Sequence, residues 1–60
     1  MRTEFHNLEF MVTSEVMQTD DGRWQVLLRD NDSGQIVGAA RFFSVDREAD
    51  ALAYAERLCS

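Results

Sequence analysis

The sequence predicts an α+β fold, a three-stranded antiparallel β-meander with one C-terminal α-helix packed on one face. Three observations lead there. Apolar and polar residues alternate with period two in three successive stretches, two clusters of turn-forming residues separate those stretches, and after Phe43 the period lengthens to that of a helix.

The first strand is expected over residues 8–18. Its even positions, Leu8, Phe10, Val12, Ser14 and Val16, would face a core, and its odd positions, Glu9, Met11, Thr13 and Glu15, would face out. Asp20-Asp21-Gly22 follows as a turn in which the glycine supplies the positive φ a hairpin bulge requires. Residues 23–30 repeat the alternation, with Trp24, Val26 and Leu28 inward and Arg23, Gln25, Leu27 and Arg29 outward. Asp30-Asn31-Asp32-Ser33-Gly34 is a second turn, and residues 35–43 form the third strand. Its inward set is read as Ile36, Gly38, Ala40 and Phe42, which leaves Val37, Ala39 and Arg41 outward.

The helix is expected from about Val45 to Cys59, capped by Ser44 or Asp46. Asp46 and Glu48 in its first turn and Arg57 in its last suit the helix dipole. At 100° per residue, Val45, Ala49, Leu52, Ala55 and Cys59 share the inward face. These mostly small side chains would pack on a Gly38–Ala40 groove, with Trp24 and Phe42 filling one end.

Length and composition narrow the classes available. Sixty residues make one βββα domain, residues 1–60, and a chain of this size buries only about 60% of the surface its unfolded form exposes. A hydrophobic fraction of 45% with six aromatics is too apolar for a disordered tail. Six arginines, no lysine and eleven carboxylates give a net charge of −5, the wrong sign for a surface that attracts phosphate everywhere. No apolar run is long enough to span a bilayer and the start lacks a secretory pattern, so a cytoplasmic location is expected, with no membrane partner. One cysteine, Cys59, excludes an internal disulfide, and Cys59 with His6 supplies only two of the four ligands of a structural zinc.

Chemistry-bearing motifs are sparse. The second turn begins like a calcium loop, yet its fifth position is Gly34 and its twelfth is Arg41, where ligands are required, so both acidic turns read as solvated hairpin loops. His6 and Cys59 lie at opposite ends of the chain with no third group to orient an imidazole, and the three glycines belong to separate turns and a strand. No catalytic residue, metal or cofactor is therefore expected.

Asp21-Gly22-Arg23-Trp24, Ser33-Gly34, Phe43-Ser44 and Glu48-Ala49 with Ala53 resemble the punctuation of small uncharacterised bacterial proteins of strand-strand-strand-helix plan, over roughly Val12 to Leu58. The plan is similar to the arm-type DNA-binding domains of tyrosine recombinases and to the plant ethylene-response type of DNA-binding domain. That likeness implies a nucleic-acid reader whose open sheet face enters the major groove, with Arg23, Arg29 and Arg41 reaching phosphates or guanine edges.

The residues themselves favour another use of the same face. Met11, Met17, Leu27, Val37 and Ala39 form an apolar set rimmed by charge, the pattern of a protein interface. Arg23, Arg29 and Arg41 would pair across strands with Glu9 and Glu15. The expectation is a protein-interaction module that associates with itself or one partner, its candidate interface residues being Met11, Leu27, Arg29, Val37 and Arg41.

Overall fold

A computed structural model describes residues 2–60. Four strands, β1 (Arg2–Asn7), β2 (Val12–Gln18), β3 (Trp24–Asp30) and β4 (Arg41–Phe43), precede one helix, α1 (Glu48–Leu58). The strands form one antiparallel sheet in the order β1-β2-β3-β4, and α1 lies across one face. The α+β class, the antiparallel sheet and the C-terminal helix agree with expectation. The strand count does not: the described residues form four strands, not three.

The extra strand comes from the N-terminus. Arg2–Asn7 pairs with β2 along its whole length, from Arg2 opposite Met17 to Asn7 opposite Val12. Its helix-side residues are Thr3, Phe5 and Asn7, of which only Phe5 is a large hydrophobe, so apolar periodicity cannot reveal it. Leu8 and Phe10, expected as inward strand residues, lie instead in the turn that joins β1 to β2. Phe10 N–H donates to Asn7 Oδ1 at 3.0 Å, and Met11 closes the turn with φ +55°. From Val12 onward the expected parity of β2 and β3 holds, and Trp24, Val26 and Leu28 face the helix.

The third predicted strand is shortened and inverted. Only Arg41–Phe43 pairs continuously with β3, and Ile36 forms a separate bridge to Arg29. From Val26 to Arg29 is three steps and from Arg41 back to Ile36 is five, so two additional residues bulge out between the pairs. Gly38, at φ +73°, lies in that bulge. Register puts Arg41 and Phe43 on the helix side and Phe42 on the opposite face, the reverse of the expected assignment. Two adjacent phenylalanines make either parity apolar, and tertiary packing decides: Phe43 meets Tyr54 at 5.7 Å between ring centroids and packs on the core.

The helix also begins later than expected. Residues 44–47 form a turn closed by Arg47 N–H to Ser44 O at 2.9 Å, Val45 O within it accepts the indole N–H of Trp24 at 3.0 Å, and the first helical bond runs from Ala51 N–H to Arg47 O at 3.1 Å. Ser44 Oγ donates to Asp46 Oδ1 in a preceding turn, and no side chain caps α1. Its buried residues are Ala51 and Ala55, not Val45 and Ala49, which are exposed. Two alanines one turn apart let the backbone sit close over Val16 and Val26, while Leu52, Tyr54 and Leu58 flank the contact. The helix thus rests on the centre of the sheet, not on a Gly38–Ala40 groove.

The C-terminal end of α1 is anchored by polar bonds. Buried Ser14 donates to Ala55 O at 2.7 Å, the Cys59 thiol donates to Phe5 O at 3.2 Å, and Asn7 Nδ2 donates to Cys59 O. Among the described residues no buried polar side-chain atom lacks a partner.

Candidate functional site

The register of the four strands turns the face away from α1 into a grid. One row runs Arg2, Met17, Gln25, Phe42; the next Glu4, Glu15, Leu27; the third His6, Thr13, Arg29, Ile36. Side chains in a row are nearest neighbours across strands and can neutralise or cover one another.

The middle of the grid is closed. Glu15 and Leu27 are only 6% and 8% exposed, although no helix covers this side. Arg29 Nε donates to Glu15 Oε2 at 3.0 Å, Arg2 approaches the same carboxylate at 4.0 Å, and Arg2 also pairs with Glu4 at 2.9 Å. Arg29 further donates to Gly34 O at 2.6 Å, which ties the loop after β3 to the face. His6 Nδ1 lies 3.0 Å from Thr13 Oγ1, and Thr13 donates to Asn31 Oδ1 at 2.7 Å. Two arginines face two glutamates, so the grid carries no net charge in a molecule of charge −5. The apolar side chains at its border remain open: Phe42 is 45% exposed, Ile36 48% and Met17 37%.

The five sequence-predicted interface residues do not form one patch. Leu27 and Arg29 occupy the grid, but the first is buried and the second is engaged by Glu15 and Gly34. Met11 sits in the β1–β2 turn, and Val37 lies in the bulged connection, its N–H bound to Leu28 O at 2.7 Å. Both are exposed. Arg41 belongs to the helix side, where its guanidinium lies 4.9 Å from the Phe43 ring and 4.7 Å from the Tyr54 ring. Of the cross-strand pairs expected for Arg23, Arg29 and Arg41, only Arg29–Glu15 forms. Arg23 pairs with Asp21 at 3.0 Å and stacks 4.7 Å over Phe42, and Glu9 is an exposed turn residue. The three arginines required for a reading face are thereby divided between two sides of the sheet.

Sequence reasoning missed Phe42 and Ile36, both assigned to the core, and Leu8 and Phe10, which are 78% and 66% exposed at the β1–β2 turn. The available signal was the turn itself: Asn7 can accept a backbone N–H two or three residues on, a habit of Asn at chain reversals. His6 and Cys59 fall on opposite faces of β1, since Phe5 and Asn7 meet Cys59 while His6 faces Thr13. Asp30 uses its carboxylate to accept the N–H groups of Asp32 and Ser33, at 2.8 and 3.3 Å. Among the described residues no helix is long and apolar enough to cross a membrane. Comparison with protein-family models, with curated proteins and with solved structures finds no significant match to this chain.

Proposed function

We propose that this chain is a cytoplasmic protein-interaction module that self-associates through the open face of its sheet. The observation that carries the reading is the grid: a charge-neutral centre bordered by exposed Phe42, Ile36 and Met17 in an otherwise acidic molecule. Two copies of charge −5 repel, and they repel least where their approaching surfaces are neutral. The border is also self-complementary. A two-fold axis crossing the strands lays the Phe42–Ile36 column of one copy antiparallel on that of the other, so each phenylalanine meets an isoleucine. Charges already paired cost less to cover than unpaired ones would, because each keeps its partner.

Light scattering over a concentration series tests the reading. The wild-type mass should rise from 6.9 kDa toward twice that value. Phe42→Glu and Ile36→Glu should hold the protein at the lower mass while leaving the cooperative melt intact, since neither side chain belongs to the helix-side core. A wild-type protein of 6.9 kDa up to millimolar concentration would overturn it.

A further inference from the structure

On the opposite side of the molecule, β4 and the outer face of α1 enclose an open groove of about 410 Å³. Arg41 and Phe43 form one wall, and Asp50, Ala53, Tyr54, Glu56 and Arg57 the other. Asp50, Ala53, Tyr54 and Arg57 fall at i, i+3, i+4 and i+7, a single stripe, with Glu56 beside it. The groove collects half of the six arginines of the chain, since Arg47 stands at its mouth.

Against these three arginines stand two carboxylates, Asp50 and Glu56, so the groove is net positive by one charge, and pairing decides which arginines stay open. Arg47 is paired with Asp50, but among the described residues Arg41 and Arg57 form no ion pair, whereas every other arginine does. The Arg41 guanidinium lies over the contacting pair of rings, 4.9 Å from the centroid of Phe43 and 4.7 Å from that of Tyr54. Those rings hold the planar guanidinium in place without occupying its N–H donors, for which no acceptor occurs among the described hydrogen bonds. A guanidinium so placed is organised to take a carboxylate with little further loss of freedom. The groove wall is also a sheet edge. β4 pairs only with β3, so its outer backbone groups are free to bond another strand.

We propose that this groove binds an extended acidic peptide segment of a partner protein, its backbone adding to the free edge of β4 and its carboxylates engaged by Arg41 and Arg57. Strand addition supplies the alignment and the arginines select acidic side chains at alternate positions of the strand. Its side-chain contacts lie on the helix side of the sheet, opposite the self-association face, and its backbone contact is the outer edge of β4, whose Phe42 belongs to that face.

The test is an amide chemical-shift titration of the labelled protein with two capped peptides, Val-Glu-Val-Glu-Val and its glutamine counterpart Val-Gln-Val-Gln-Val. The glutamate peptide should move amides of Arg41 to Phe43 and of Asp50 to Arg57. The glutamine peptide should bind about tenfold more weakly, as should the glutamate peptide to Arg57→Gln, a fully surface substitution. Arg41→Gln serves as a second variant, its fold checked by the spectrum itself. Equal binding of the two peptides, shifts elsewhere, or none at millimolar peptide would overturn the proposal. So would the same shifts from free N-acetylglutamate or from a mixed-sequence oligonucleotide at equal concentration, because neither brings a strand to β4.

Discussion

Individual side chains divide the work between holding the fold and shaping its surface. Trp24 does the former: its ring packs on the core and its indole N–H fastens the start of the helix segment through Val45 O. Trp24→Ala should cost about 3 kcal/mol, read as a lowered melting temperature, since it removes both packing and tether. Arg29 matters for what it leaves behind. Its removal strands the nearly buried Glu15 carboxylate with only the distant Arg2, so Arg29→Ala should destabilise by about 2 kcal/mol in denaturant unfolding, more than an exposed ion pair is worth. Met11 is a methionine in the left-handed region, where a side chain costs roughly 1 kcal/mol. Met11→Gly should therefore leave stability unchanged or raise it, and a clear loss would show that the Met11 side chain contributes packing that outweighs its backbone conformation.

Secondary-structure elements were legible where one face is strongly apolar and illegible where it is not. β2 and β3 could be placed, with correct parity, because Val12, Val16, Trp24, Val26 and Leu28 alternate with polar residues. β1 escaped because Phe5 is its single large core side chain and because Leu8, Phe10 and Val12 extend the apolar alternation of β2 backward into a turn. β4 was inverted because Phe42 and Phe43 satisfy both parities, and with it Arg41 was assigned to the wrong side of the candidate interface. The helix begins late because residues 44–47 close a turn of their own, Arg47 N–H to Ser44 O, ahead of it. Each element carries its own expectation. Phe5→Ala should release β1 from the helix end, with loss of amide-exchange protection in residues 2–7 before the rest of the sheet. In the β2–β3 turn, the Thr19 hydroxyl bond, helped by Arg23, holds the Asp21 carboxyl below its ordinary value. A carboxylate shifted down contributes its stabilising effect above its unfolded-state pKa and loses it as pH falls through the folded one. Acidification below about pH 4 should accordingly loosen the amides of Gly22 and Arg23 first.

For the molecule as a whole, charge and topology act together. A chain of charge −5 has few places where a second copy can approach, and the sheet register gathers two arginines and two glutamates into a neutral face while leaving Phe42, Ile36 and Met17 at its border. Added salt should strengthen self-association, because it screens the net repulsion more than the pairs already closed within each copy. The most direct measurement is a dilution series of the labelled protein followed by amide chemical shifts, from millimolar to micromolar. Self-association through the grid predicts concentration-dependent shifts at Met17, Gln25, Leu27, Ile36 and Phe42, with the helix amides of Glu48–Leu58 unmoved. Spectra that do not change on dilution, or changes confined to α1, would contradict it.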